Sequence, residues 1–441
     1  MFTKIRFKLE LYFFYLKKNF LFIIVGLIVG FASINYQNQL IALYKKYSRP
    51  IIKIGIEGLY TTTNLPPAIS HKISYGLTEI TQNDKTIISP IIKDLSINQD
   101  KNNYIFKIDN TKFWHDGKKL TSYDLKYQIP GLTFSTPSSD TLSITSPEPF
   151  SPLESVLSKP LFRNGLIGLG EYKVVDINYK DGYINYLKLT SNSAPTIIYR
   201  FYQNQVDLVS AFKIGEIDQM EVNNIPPEIE SGWKTNISQN VSTNTKYSAI
   251  FFNTQKLNVK QLRQALAYAT PKSTDKNDRC LSPISSTSWA YNPSVKEYSF
   301  NPTRARELFA SNKIETINLS VGDRNLLSTA ESIKKSWEDI LKIKVNLTVG
   351  QIDQQNFDAI IHYGSIPTDP DQYIFWHSTQ TKSNVTKLNN PKIDKLLEDG
   401  RATFDTIERK KIYQEFQKAL LEESPVIFLS YPTIYTITRV K

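Results

Sequence analysis

The chain has 441 residues, 40% of them apolar and 12% aromatic, which suits two or three domains with real cores and excludes a disordered polymer. One cysteine, Cys280, excludes an internal disulfide framework and any multi-thiolate zinc site built from this chain alone. Of the formal net charge of +11, residues 1–50 carry eight Lys/Arg against the single Glu10; most of the basicity therefore lies at the N-terminus, and nucleic acid is not an expected partner.

In chain order, the first feature is a basic tail, residues 1–18, followed by a segment without charge from Asn19 to Tyr44 whose heart is "FLFIIVGLIVGFASI". A run of this kind crosses the ~30 Å hydrocarbon core as a helix of about 20 residues. Lys4, Arg6, Lys8, Lys17 and Lys18 precede it, so the positive-inside rule keeps the tail in the cytoplasm and exports the rest. Residues 19–43 are expected to be a single-pass anchor in the cell membrane, with the body on the extracytoplasmic side. The competing reading is a cleaved signal peptide ending near "GFAS". No cysteine follows the apolar run to carry a lipid.

Past Pro50, β-branched runs alternate with amphipathic helical stretches, an α/β or α+β pattern. "IIKIGIEGLY" (51–60) predicts an opening strand, with a Thr/Pro-rich loop after it, and "NNYIFKID" (102–109) and "TIIYRFY" (196–202) predict further strands. Between the first two of these later segments lies "KFWHDGKKLTSYDLKYQI" (112–129), where Trp114, His115 and Asp116 adjoin Gly117 and could be a catalytic or metal-binding cluster. Asp116-Gly117 is also a two-residue type I′ hairpin signal, and Thr121 with Asp124 has the spacing of a capping box opening a helix through Leu125 and Ile129. The second reading places His115 at a turn. Later, Asn301-Pro302 and Asn390-Pro391 start helices, the second stopping near Gly400, and Asp405 with Glu408 caps a third whose stripe is Ile412, Phe416, Ala419 and Leu420.

Nothing in the sequence marks an enzyme. G-x-S-x-G, H-E-x-x-H and C-x-x-C are absent, and the four histidines stand at no ligand spacing. "GLIGLG" (165–170) precedes a strand and no helix, so it is not a phosphate cradle. No cofactor is expected.

"YIFKIDNTKFWHDGKKLTSYDLKYQI" resembles the most characteristic segment of the family 5 extracellular solute-binding proteins, the peptide-binding components of ABC importers. Other segments follow in the family's order: "GLGEYKVVDI" (168–177), "AFKIGEIDQMEV" (211–222), "YSAIFFNTQKLNVKQLRQALAYAT" (247–270), "FDAIIHYGSIPTDPDQYIFW" (357–376) and "NNPKIDKLLEDGRATF" from 389 onward. The resemblance implies an α/β, two-lobed fold of the periplasmic-binding-protein kind that closes on its ligand by a hinge. Lobe I would span 51–245, with a reduced subdomain near 130–167. Lobe II would span 246–425, and 426–441 would return to lobe I.

By the same resemblance the ligand is an oligopeptide or dipeptide, or another small solute, delivered to the permease subunits of an ABC importer. A membrane-tethered sensor or scaffold on the same fold is the alternative. The residues implied for the cleft are Tyr60, Thr62, Trp289, Tyr363, Ser365, Asp369, Asp371, Trp376 and Tyr431, with Trp289, Trp376 and the neighbouring Tyr291 equally readable as packed core. Where the family carries an acid for the peptide amine, this chain has Ile366. Either Asp369 or Asp371 takes over that role, or the ligand has no free amine there, because a buried ammonium without a countercharge is costly.

Overall fold

The structure, a computed structural model, describes residues 50–440 except 82–85, 243–244, 276, 313 and 351–356, together with residues 14–15, 17–22, 24–26, 30 and 36. The expected basic tail and anchor lie largely outside the described residues. Among the described residues no helix is long and apolar enough to cross a membrane.

The body is α/β with two lobes, each built on a mixed sheet. In lobe I a seven-stranded sheet runs in the order Thr235–Val241, Thr433–Arg439, Gln219–Val222, Ile51–Glu57, Thr196–Tyr202, Tyr183–Thr190 and Lys173–Lys180. Its central strand Ile51–Glu57 is parallel to both neighbours, while the outer pairs are antiparallel. Parallel neighbours require crossovers. The helix Gln205–Lys213 supplies one, burying Leu208, Val209, Ala211 and Phe212.

A second lobe I sheet carries Ile92–Ile97, Asn103–Ile108, Thr141–Thr145 and Thr133–Ser138 in that spatial order. The segment 133–145 is thus a hairpin added to the edge of Asn103–Ile108. It packs Leu142 and Ile144 with Tyr104, Phe106 and Trp114. Its neighbouring loop reaches lobe II, where Ser151 N–H donates to Arg401 O at 2.9 Å.

The hairpin and cap of 112–129 form with two differences from expectation. Phe113 bridges Lys119, Trp114 N–H donates to Lys118 O at 2.9 Å, and Gly117 N–H donates to Trp114 O at 2.8 Å. Only Gly117, with φ +84°, adopts positive φ, so the connection is a three-residue loop with glycine in the left-handed position and not a type I′ turn. The Thr121/Asp124 capping box is present, but it opens a single 3-10 turn, Ser122–Asp124. Leu125 is already extended with ψ 103°, and Ile129, preceding Pro130, is biased away from helix.

Lobe II has a five-stranded sheet in the order Lys344–Val349, Thr316–Val321, Ala359–Ser365, Lys246–Phe252 and Val426–Ser430. The strand Lys246–Phe252 is covered on both faces, as its almost unbroken apolar run requires. Ile250 and Phe252 pack under Trp337 and Leu266, and Tyr247 and Ala249 pack under Phe416 and Leu420. The predicted caps are all made: Asn301 accepts from Arg304 N–H at 2.9 Å, Asn390 from Lys392 N–H at 3.0 Å, and Asp405 from Glu408 N–H at 2.8 Å. The helix Pro391–Ala402 passes through Gly400, which is there because a Cβ would lie 2.7 Å from the Tyr413 ring. In the last helix, Thr406–Glu423, Arg409, Tyr413 and Gln417 share the buried face with Phe416 and Leu420, whereas Ile412 is half-buried.

The terminal segment is two strands where one was expected. Val426–Ser430 pairs with Lys246–Phe252 and belongs to lobe II, and the return to lobe I begins at Thr433. The chain therefore passes between the lobes after the strand Thr235–Val241 and again at 431–432, and Ser242 N–H to Pro432 O at 2.9 Å ties the two crossings.

Candidate functional site

The strand Ala359–Ser365 outruns its parallel neighbour Thr316–Val321. The last pair joins Val321 to Ile361, and Gly322 N–H donates to Ile361 O at 3.0 Å. On its other side the ladder continues until Ser365 lies opposite Lys246, and Ile366 N–H donates to Thr245 O at 2.9 Å. Antiparallel ladders alternate in direction, so Tyr363 and Ser365 turn their main-chain groups toward the other edge. Among the described residues no strand pairs with that edge beyond Ile361. The Tyr363 carbonyl does meet His362 Nδ1 at 2.9 Å.

A cavity of about 270 Å³ adjoins this edge, lined by Tyr247, Phe251, Tyr363, Phe375, Trp376 and Val385 together with Ser365, Ser383 and Thr386. Its floor is rigid for local reasons. The Trp376 ring is buried and stacks on Phe251 at 6.4 Å, and its Nε1–H donates to Gln372 Oε1 at 3.2 Å. Gly364 lies flat on Tyr247, where a Cβ would come within 2.3 Å of the ring. An apolar, concave lining with a few polar groups is the usual make-up of a small-ligand site.

A second cavity, about 80 Å³, opens at the loop that follows the strand, lined by Ile284, Ser285, Thr287, Ser288, Ile366, Pro367, Thr368, Pro370 and Gln372. Its polar groups are neutral; the Ser285 and Thr287 hydroxyls lie 2.8 Å apart.

The expected site residues divide between these cavities and their supports. Tyr363, Ser365 and Trp376 come together in the larger cavity. Tyr431 is buried behind the smaller one, its hydroxyl accepting from Ser286 N–H at 3.2 Å. Asp369 is held by Arg409 through two bonds of 2.9 and 2.6 Å, and Asp371 by Arg401 through bonds of 2.9 and 2.8 Å. Neither carboxylate is among the residues lining these two cavities, and each has its countercharge in place. Trp289 packs beside the Arg409 guanidinium at 5.7 Å. Tyr60 and Thr62 lie in lobe I, where the Tyr60 hydroxyl donates to Glu57 O at 3.1 Å and its ring packs on Phe201.

His115 is structural. Its Nε2 meets Gly170 O at 2.8 Å, its N–H donates to Gly168 O at 3.0 Å, and its carbonyl accepts from Lys173 Nζ at 2.8 Å. Burial lowers its pKa, so the ring is held neutral as a brace between the hairpin and the strand Lys173–Lys180. Among the described residues no group of three His, Cys, Asp or Glu side chains is placed to hold a metal.

Charges meet where the lobes face each other. The Glu57 carboxyl, at the end of the central lobe I strand, is raised by burial and then by the nearby Asp323 of lobe II, with Lys246 opposing. Lys246 Nζ lies over the Tyr363 ring at 4.4 Å. The Tyr363 hydroxyl is pushed up to about 12 by burial and by Asp323. This places the open strand edge at the junction of the lobes.

Phe375, Val385, Arg401 and Arg409 were not singled out by sequence. Phe375 lies in the family-like segment 357–376, but the two arginines sit on helices whose sequence signal is their apolar faces, where a cation carries no mark of its partner.

The model of the family described as bacterial extracellular solute-binding proteins, family 5 Middle, matches residues 131–385, more than half of the chain. The oligopeptide-binding protein AppA of Bacillus subtilis is 23% identical over 330 residues, 64% of this chain and 59% of AppA. Heme-binding protein A of Haemophilus influenzae is 27% identical over 224 residues, 44% of this chain and 40% of that protein. The chain thus spans less than two thirds of the length of these curated relatives. Among solved structures, NikZ from Campylobacter jejuni in complex with Ni(L-His) superposes with a TM-score of 0.74 at 22% identity, covering 88% of this chain and 94% of that one. AppA from Bacillus subtilis in complex with a nonapeptide superposes at 0.70 with 19% identity, covering 88% and 95%.

Proposed function

The chain belongs to the family 5 bacterial extracellular solute-binding proteins, which are binding proteins and not enzymes, and we propose that this member captures an extended solute, an oligopeptide or dipeptide, between its lobes. The loaded protein delivers the solute to the permease of an ABC importer, tethered by an N-terminal anchor. The observation that carries the peptide reading is the unpaired edge at Tyr363–Ser365 beside an apolar cavity of about 270 Å³. An extended chain adds to such an edge by main-chain hydrogen bonds and places alternate side chains in neighbouring pockets. The name of AppA, an oligopeptide-binding protein, supports the same reading. The anchor reading is supported by the uncharged segment 19–44 behind five basic residues.

Ser365→Pro tests the edge directly. It removes the N–H turned toward the ligand and leaves the ladder to Lys246–Phe252 intact, so the fold is retained while peptide affinity falls at least tenfold. Native mass spectrometry of the exported protein, followed by peptide titration of wild type and variant, reads both. An exported protein that carries no small molecule and shows no peptide-induced thermal shift would sink the importer reading.

A further inference from the structure

Resting on that reading of the site, we propose that the ligand enters the smaller cavity with an uncharged end, so that the substrate class is a short peptide blocked at one terminus by an acyl or amide group. A chain laid along the open edge of Tyr363–Ser365 continues in the direction of the strand toward the loop 366–372, where this cavity of about 80 Å³ opens. That volume, several times what one water needs, takes a group of acetyl size.

No charged side chain lines the cavity. Its wall at the end of the strand is Ile366, buried at 8% exposure. The two carboxylates of the same loop are already paired, Asp369 with Arg409 at 2.6 Å and Asp371 with Arg401 at 2.8 Å. An ammonium or a carboxylate brought against the Ile366 wall meets no opposite charge, so nothing there offsets the water it gives up. A blocked end presents only a carbonyl and an N–H. Those are within the repertoire of the hydroxyls of Thr287, Ser288 and Thr368, each of which donates and accepts. Gln372 is partly committed, accepting from Trp376 Nε1–H and donating to Pro283 O, and its second N–H adds one further neutral donor.

The test uses random tripeptide libraries in four forms mixed in equal amounts: free at both ends, N-acetylated, C-amidated, and blocked at both. The full protein is loaded, freed of excess, and its retained peptides are identified by mass spectrometry. The expected result is at least tenfold enrichment of forms blocked at one particular terminus over the free form. Thr368 is exposed, so Thr368→Asp and Thr368→Lys keep the fold. The first shifts retention to a free amine if the amino end enters the cavity, and the second to a free carboxylate if the carboxyl end does. Retention of the free form as well as any blocked form overturns the proposal while leaving peptide binding standing. Retention of no form at all, with the fold intact, refutes the peptide reading itself and the proposal with it.

Discussion

Replacing Arg409 with Met tests whether the loop carrying the smaller cavity is held by charge pairing from below. The guanidinium is 8% exposed as a side chain and its partner Asp369 15%, so water screens the pair little. Arg409 makes two charge-assisted bonds to Asp369, of 2.9 and 2.6 Å, and a third through Nε to Gly400 O at 2.8 Å. Removing the cation strands a carboxylate in the interior, which costs about 3–5 kcal/mol. Asp369→Asn leaves Arg409 with Gly400 O, Tyr413 and a neutral acceptor, and is expected to cost about 2 kcal/mol. The double variant should lose at least about 1 kcal/mol less than the sum of the singles, because neither charge is then unpaired. Urea denaturation of the four proteins at pH 7 gives the cycle, and the slope must stay constant for the comparison to hold. A loss below about 1 kcal/mol for Arg409→Met, or strict additivity, would refute the view that Asp369 is a structural anion and return it to the list of ligand contacts.

Four other substitutions have clear signs. His115→Ala should cost about 1 kcal/mol for the bond to Gly170 O and leave ligand affinity unchanged; altered affinity at constant fold would contradict a purely structural role. Because burial lowers the His115 pKa, the folded state binds fewer protons than the unfolded chain, so stability drops as pH falls below about 6.5, and His115→Gln should flatten that slope in denaturation curves. Glu57 is the opposite case: burial and Asp323 raise its pKa, the folded state holds the proton more tightly, and stability falls as pH rises through the raised value. Glu57→Gln should therefore stabilise the protein at pH 7 and have no effect at pH 3.5, and a variant less stable at pH 7 would show that the carboxylate is paired. Gly364→Ala drives a methyl group to 2.3 Å from the buried Tyr247 ring and should cost about 1–3 kcal/mol in thermal or urea unfolding; a neutral effect would mean the ring shifts freely.

Much of this architecture was legible because it is written in local chemistry. Asn301, Asn390 and Asp405 cap helices by side-chain bonds to N–H groups two or three residues on, which needs no tertiary information. The turn at Gly117 was legible for the same reason, although whether one or two residues take positive φ depends on how the flanking strands meet. The helix expected after Thr121 failed because its cap is local but its continuation is not. Leu125 is buried in the lobe I core, and the Tyr127 hydroxyl is tied to Leu77 N–H at 3.2 Å and Leu157 O at 3.0 Å, contacts available only to an extended chain. The site was legible in part. Tyr363, Ser365 and Trp376 share one segment of sequence, but whether Asp369 and Asp371 face a ligand or a cation depended on Arg409 and Arg401, 40 and 30 residues away on two later helices.

The open strand edge follows from a mismatch between two neighbouring strands. Thr316–Val321 must stop where it does because Asp323 accepts from Asn325 N–H at 2.9 Å and turns the chain into the helix Leu327–Leu341. Ala359–Ser365 runs on because its other partner, Lys246–Phe252, begins immediately after the crossing from lobe I and pairs along its full length. Unpaired edges invite association, and proteins ordinarily keep them short or covered. Here the exposed stretch is only the end of one strand, and it faces the other lobe, with Lys246 over Tyr363 and Glu57 opposite. The same crossing that divides the chain between two sheets therefore lets Ala359–Ser365 run past Val321 and leaves its end unpaired on that side.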